Sequence, residues 1–333
     1  LLGEDVVRRF GSQLPFLLKL IAPEQALSLQ VHPSMEQAIE GYRRENEAGL
    51  ALDDPDRSYK DANHKPEMVL ALTRYDAVAG FRAPRRAAEV LTGLDAVLAH
   101  RMRRTLRLNP TRFGIRQVFS ELVSTGTRPT SAEIDELVCE IVARLERGGS
   151  PSRRADANAV LMARTFPGDP GVAAALLLNP VTLQPGEALF VPAGSMHAYI
   201  SGLGVEIMAS SDNVLRAGLT TKHVDVPSML ACVDYVAAPP VRPAPEYLSR
   251  ATRAYYAPVD DFELLVTEVV PADGRVQVPG RGPRIALALE GATTITTPAG
   301  QAELERGQAL FIGADERVLA VEGDGVVVQA DVP

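Results

Sequence analysis

The apolar positions change period several times along the chain. Near the start, Leu27-Ser-Leu-Gln-Val-His32 alternates with period two, which predicts a strand carrying Gln30 and His32 on one side. Pro33 ends the ladder. Residues 34–49 carry a helical pattern. Asn63-His-Lys-Pro-Glu-Met-Val-Leu-Ala-Leu72 then predicts a turn running into a strand, with Lys65 and Glu67 on a common side.

From about Pro84 to Arg164 the period lengthens. Ala87, Val90, Leu91, Leu94, Val97 and Leu98 recur at helical spacing. Thr130-Ser-Ala-Glu133 is a capping-box pattern ahead of Ile134, Leu137, Val138, Ile141, Val142 and Leu145, and Gly148-Gly-Ser-Pro151 ends that helix. Strand character returns from Val172. Leu183–Ala209 alternates short apolar runs with Pro-Gly, Ala-Gly and Ser-Gly turns, as antiparallel barrels do. Residues 236–255, rich in Pro, Ala and Arg, read as a linker, and short strands fill the rest.

The two strand-rich stretches are related. Pro185-Gly-Glu-Ala-Leu-Phe-Val-Pro-Ala193 aligns without a gap on Arg306-Gly-Gln-Ala-Leu-Phe-Ile-Gly-Ala314. Such self-similarity predicts two copies of one barrel. In that frame His197 falls opposite Val318, Tyr199 opposite Ala320 and Glu206 opposite Val327. Polar chemistry in the first copy meets apolar packing in the second, so a single active site belongs to the first. The expected architecture is mainly β with a helical insert: one barrel from 1–83 and 165–235, an α-helical domain at 84–164, and a second barrel at 236–333.

Composition narrows the function. With 333 residues, 46% hydrophobic and 23% charged, the chain can bury sizeable cores and is not a disordered polymer. A formal charge of −8 argues against a polyanion as main partner, so neither nucleic acid nor an acidic membrane is expected. Cys139 and Cys232, in no CxxC, point to a reducing compartment, and no signal peptide or membrane span is visible. A cytoplasmic protein with no obligate protein partner is the expectation. The chain opens Leu-Leu-Gly-Glu-Asp without an initiator methionine and reads as a fragment. Of its 34 basic residues only Lys19, Lys60, Lys65 and Lys222 are lysine. Coding bias explains the arginines. The remaining lysines are candidates for places where a deprotonatable ammonium is needed.

Gln30, His32, Glu67 and His197 would together supply two imidazoles, a carboxylate and an amide oxygen inside a barrel. That donor set suits a borderline divalent ion such as zinc, one per chain, with a position left for substrate or water. Any one of the four alone could be a hydrogen-bonded structural residue. In the polar stretch Glu206–Thr220, Glu206 could be a base, Asp212 could orient a histidine and Arg216 could bind an oxyanion. The competing reading of that stretch is a satisfied turn network. His100 is expected to be solvated, and His223 has no supporting pattern. No Walker or dinucleotide glycine pattern is present, which argues against a nucleotide cofactor.

Here a resemblance becomes specific. Leu14-Pro-Phe-Leu-Leu-Lys19, Leu27-Ser-Leu-Gln-Val-His-Pro33, His64-Lys-Pro-Glu67, Phe166-Pro-Gly-Asp169, Pro185-Gly-Glu-Ala-Leu-Phe190, His197-Ala-Tyr199 and Ser211-Asp-Asn-Val-Leu-Arg-Ala-Gly-Leu-Thr220 resemble type I phosphomannose isomerases, in order over most of the chain. The resemblance implies a zinc-bearing cupin (jelly-roll-like) barrel, a helical domain and a second, metal-free cupin-like barrel. It implies zinc ligation by Gln30, His32, Glu67 and His197, and an active-site Arg216. Glu206, Lys65, His64, Asp212, Lys19, Ser28, Tyr199 and Lys222 match residues lining the family's substrate pocket. The implied reaction interconverts mannose 6-phosphate and fructose 6-phosphate, with Glu206 or Lys65 moving the proton and His64 with Asp212 assisting ring opening. The family also carries earlier motifs, including a Tyr-Asp-Trp-Gly-like segment, that this chain does not contain. Two other classes remain open: a non-catalytic sugar-phosphate-binding cupin, and a metal cupin enzyme of another class.

Overall fold

The computed structural model describes every residue from Leu1 to Pro333. The first part of the chain forms helix α1 (Glu4–Phe10), strands β1 (Phe16–Ile21) and β2 (Leu29–Val31), helix α2 (Met35–Glu47), and strands β3 (Glu67–Ala71) and β4 (Tyr75–Phe81). Six helices follow: α3 (Pro84–Val90), α4 (Val97–Leu108), α5 (Arg112–Val123), α6 (Ser131–Glu146), α7 (Arg153–Thr165) and α8 (Pro170–Ala175). Then come β5 (Leu178–Leu183), β6 (Ala188–Val191), β7 (His197–Ser201), β8 (Gly204–Ala209), β9 (Leu215–Gly218) and α9 (Val226–Cys232). The C-terminal part adds β10 (Glu246–Tyr247), β11 (Thr252–Tyr256), β12 (Glu263–Val269), β13 (Val276–Val278), β14 (Arg284–Thr297), β15 (Gly300–Glu305), β16 (Ala309–Ile312) and β17 (Leu319–Asp331).

Local chemistry sets several of these boundaries. Ser34 and Thr130 close capping boxes with Gln37 and Glu133, which satisfy orphan N–H groups at the starts of α2 and α6. Asp169 caps α8 ahead of Pro170. The β7–β8 turn needs Gly202: its φ is +120°, and a Cβ there would lie 2.6 Å from the Arg74 carbonyl oxygen.

Two antiparallel sheets, ordered β1-β8-β3-β6 and β5-β4-β7-β2-β9, pack face to face. Val69, Ala71, Leu189 and Val191 of the first meet Ala77, Ala79, Val181 and Tyr199 of the second in a common interior. Each sheet is also covered outside. Met68, Leu70, Val205 and Ile207 pack on Tyr255, Phe262, Leu264 and Val328 of the C-terminal eight-stranded sheet. Val78, Ala198, Ile200 and Ala217 pack on the helices of the insert. Burial on both faces explains why β3 and β8 contain so few polar side chains. It makes the exceptions, Glu67 and Glu206, conspicuous.

The mainly-β architecture with a helical insert matches the expectation from sequence. The cupin-like units are built as a double-layered sandwich of two sheets and one eight-stranded C-terminal sheet, consistent with the jelly-roll-like expectation though not closed by hydrogen bonds into barrels. Three details differ. The apolar series from Ala87 to Leu98 is two helices, broken between Leu91 and Ala96. Residues 170–175 are helix α8, so strand structure resumes at Leu178 rather than Val172. The stretch read as a linker from its Pro, Ala and Arg content runs into β11, whose Ala254 and Tyr255 are fully buried because the strand pairs with β12. The internal repeat places β6 and β16 at equivalent positions. Ala320 and Val327 pack in the core as expected, whereas Val318 is exposed. No helix is long and apolar enough to cross a membrane.

Candidate metal centre and active site

Strand geometry gathers the site. Gln30 of β2 lies directly opposite His197 of β7, and Arg216 of β9 lies opposite Gln30 on the other side. His197 and Tyr199, two residues apart, both face the sandwich interior, and Glu67 at the start of β3 meets them from the other sheet. His32, Glu67 and His197 are buried, and their ligand atoms lie within 4.8 Å of one another.

The hydrogen bonds around the two imidazoles fix what this cluster can hold. His32 Nδ1 donates to the Asn213 carbonyl oxygen at 2.8 Å, and His197 Nδ1 donates to that of Ser195 at 3.0 Å. Both Nε2 atoms therefore turn toward Glu67, at 3.2 Å from His32 and 2.9 Å from His197. His32 Nε2 makes no hydrogen bond. A lone pair buried against a carboxylate oxygen is repulsive unless positive charge lies between them. Tyr199 donates its hydroxyl to Glu67 Oε1 at 2.8 Å and orients the carboxylate. Carbonyls on Nδ1 and a hydroxyl on the carboxylate are the outer partners that metal ligands usually have. Gln30, its amide 3.3 Å from His197 Nε2 and held by Ser28, is placed to complete the set. The donors present fit a zinc ion.

Burial pushes the His32 imidazole below its ordinary value, and the Glu67 charge only partly opposes this. For His197 burial works in the same sense, but the Glu67 charge wins and raises it. Burial opposes ionisation of Glu67, yet the two imidazoles hold it well below the usual carboxylate range. Zinc binding at this cluster requires both Nε2 atoms to be free of protons.

A second group borders this cluster. Glu206 of β8 stands opposite Lys19 of β1 and Val69 of β3, and its carboxylate forms a 2.7 Å ion pair with Lys19 Nζ. Burial, joined by the Glu67 charge and opposed by Lys19, pushes its carboxyl up to about 7. Lys65 is buried and makes no side-chain hydrogen bond or ion pair. Arg216 is half-buried and likewise uncommitted.

Comparison with known proteins places this arrangement. Residues 1–84 match the family model described as phosphomannose isomerase type I, catalytic domain. The mannose-6-phosphate isomerase of Escherichia coli K12 is 34% identical over 333 residues, covering 98% of this chain and 80% of that protein. The chain belongs to the type I mannose-6-phosphate isomerase family. The human mannose-6-phosphate isomerase is 34% identical over 340 residues, covering 95% of this chain and 76% of its own. A zinc-bound crystal structure of a mannose 6-phosphate isomerase superposes with a TM-score of 0.88 at 34% identity, covering 99% of this chain and 82% of that one. A second, bound with zinc and yttrium, gives 0.87 at 32% identity, with the same coverage of both chains.

Not every residue that the family resemblance implied lies where it was expected. Gln30, His32, Glu67, His197, Ser28, Lys19, Lys65, Glu206 and Arg216 converge. Tyr199 is buried and committed to Glu67, so it supports the metal cluster from behind and does not line an open pocket. Lys222 is exposed in the loop after β9. The carboxylate on His64 is Asp261, at 3.0 Å, and not Asp212, because the 258–262 loop of the C-terminal sheet reaches the ring while Asp212 turns outward. Both Asp212 and His64 line a cleft of about 920 Å³ with Lys60, Asp61 and Asp261. Of the remaining histidines, His100 is exposed as expected, and His223 pairs with Asp56 at the surface.

Sequence reasoning passed over Asp261 and Asn213. Asn213 Oδ1 accepts from the backbone N–H groups of Lys60 and Asp61, and its Nδ2 donates to the carbonyls of Asp61 and Asn63. Together with Ser211, which bonds Asp61 and Asn63, it ties down the loop that carries His64 and Lys65. That is the turn network the polar stretch allowed for. It supports the site rather than competing with it.

Proposed function

We propose that the protein is a zinc-dependent aldose–ketose isomerase that interconverts mannose 6-phosphate and fructose 6-phosphate. The observation that carries the reading is the buried His32–Glu67–His197 cluster, with both Nε2 atoms aimed at one carboxylate, in a chain of this family. The same reading divides the chain into a catalytic unit (1–83 and 165–235), a helical insert (84–164) and a second β unit without a metal site (236–333).

The reaction opens the sugar ring, removes a proton beside a carbonyl and returns it to the neighbouring carbon, with enediolate charge to be stabilised in between. His32, Glu67, His197 and Gln30 would hold zinc, which would supply a Lewis acid at the sugar oxygens. Glu206 accepts and returns the proton at Oε1, the oxygen left free when Lys19 takes Oε2. Lys19 thereby fixes the carboxylate and balances its charge. Lys65, with no protein partner for its ammonium, is the second proton carrier, since lysine can lose its proton where arginine cannot. The unpaired guanidinium of Arg216 receives phosphate or enediolate charge. His64 assists ring opening.

The test is a coupled assay of the purified, zinc-loaded protein with mannose 6-phosphate, reading fructose 6-phosphate formation. Turnover that depends on zinc is the expected result. A protein that binds zinc and the sugar phosphate but makes no product would be the non-catalytic relative instead.

A further inference from the structure

His64 precedes β3 in the loop that also carries Lys65, and its ring is partly open to the cleft. Its Nε2 lies 3.0 Å from both carboxylate oxygens of Asp261, 197 residues away in the chain. Asp261 belongs to the loop between β11 and β12 of the C-terminal sheet and is only 4% exposed. That loop is pinned on both sides of it. Phe262 is fully buried in the core shared with β3 and β8, and the Asp260 carbonyl oxygen accepts from Arg9 Nη2 at 3.2 Å.

A carboxylate can only accept, so Nε2 of His64 must carry a proton. In the neutral ring the lone pair then lies at Nδ1, which has no protein partner. Whatever the charge on the ring, the proton that exchanges with a bound molecule is the one at Nδ1. We propose that Asp261 is a positioning residue for the isomerase reaction: from the second β unit it holds His64 in the tautomer whose Nδ1 exchanges the ring-opening proton. This rests on the reading of the chain as an isomerase with His64 in its active site. It gives the metal-free C-terminal sheet a direct part in the chemistry. A sugar ring opens when Nδ1 takes the proton of the anomeric hydroxyl, the bond between the anomeric carbon and the ring oxygen breaks to leave the carbonyl, and the same proton passes from Nδ1 to the ring oxygen. A base of fixed tautomer and orientation serves the first transfer and returns the proton in reverse.

The substitution Asp261→Asn keeps the size of the side chain but offers Nε2 an amide N–H as well as an oxygen, so the requirement for a proton at Nε2 is lost. In the zinc-loaded protein it should lower kcat about tenfold or more, leave KM within about twofold, and leave zinc content and melting temperature unchanged. In a His64→Ala background the same substitution should change kcat by less than about twofold, because nothing remains to be positioned. Nitrogen NMR of the five histidine rings gives an answer independent of turnover: His64 should be protonated at Nε2 in the parent and lose that preference in Asp261→Asn. Equal costs of Asp261→Asn in both backgrounds, an unchanged kcat, or a parent ring unprotonated at Nε2 would each overturn the proposal. Loss of zinc-dependent turnover in the parent itself would instead overturn the isomerase reading, and the ring spectrum would still decide the positioning.

Discussion

Replacing Asn213 by alanine should separate the scaffold of the active loop from the metal centre. Asn213 is fully buried, and four of its side-chain hydrogen bonds hold backbone groups of the loop, at 2.7 and 3.2 Å from the N–H groups of Lys60 and Asp61 and at 2.8 and 2.9 Å to the carbonyls of Asp61 and Asn63. At about 0.5–1.5 kcal/mol net for each bond, the substitution should cost about 2–6 kcal/mol of stability. The bond that orients His32 uses the main-chain oxygen of residue 213, which alanine retains. Zinc should therefore stay bound while the loop bearing His64 and Lys65 loosens, and turnover should fall about tenfold to a hundredfold. Urea unfolding of the zinc-loaded variant, its zinc content and its steady-state kinetics read the three effects on one preparation. A stability loss below about 1 kcal/mol would refute the loop-tying role. So would loss of zinc in step with turnover, because the two would then share one cause.

Three other substitutions test the remaining assignments. Glu206→Gln keeps the shape of the side chain but removes the proton acceptor, and should lower turnover by at least about a hundredfold with zinc unchanged; a rate close to the parent's would pass the proton-transfer role to Lys65. Lys65→Arg and Lys65→Met should both cost large and similar factors in turnover while zinc stays bound, since neither can release a proton near neutral pH; a near-parental Lys65→Arg enzyme would show that only charge is needed. Asp331, whose carboxyl is pushed well above the usual range by burial and the adjacent Glu263, tests pH-linked stability away from the site. Its folded value is raised, so its contribution is fully present below the unfolded carboxylate value and is lost as pH rises through the folded one. Asp331→Asn should remove that decline and stabilise the protein at neutral pH, as urea midpoints across a pH series would register.

Much of the site is written in short-range pattern. Period-two spacing pairs Gln30 with His32 and His197 with Tyr199 on common faces, and these side chains meet around Glu67, although His32 lies just past the end of β2. Lys65 precedes β3 in the loop. Capping boxes at Ser34 and Thr130 mark helix starts because the chemistry is complete within four residues. What the pattern does not carry is which distant segments meet. Asp261 reaches His64 across 197 residues, and no local spacing signals it. Strand β11 (Thr-Arg-Ala-Tyr-Tyr) follows a stretch rich in Pro, Ala and Arg that masks its strand-favouring residues, and its pairing with β12 cannot be read from local pattern. Tyr199 shows the intermediate case. Its inward face follows from alternation, but its commitment to Glu67 depends on the spacing between two sheets, which is a property of packing.

The central claim is that one zinc ion, seated between His32, Glu67 and His197, makes this chain an isomerase. It is tested most directly by stripping the protein with a chelator and titrating zinc back while isomerisation of mannose 6-phosphate is followed. Activity should vanish on stripping and return in proportion to added metal, reaching its plateau near one equivalent per chain. His197→Ala and Glu67→Ala should neither hold the metal nor recover, whereas the repeat-related Val318→Ala should behave as the parent. A metal-free preparation that still isomerised at the full rate would contradict the account.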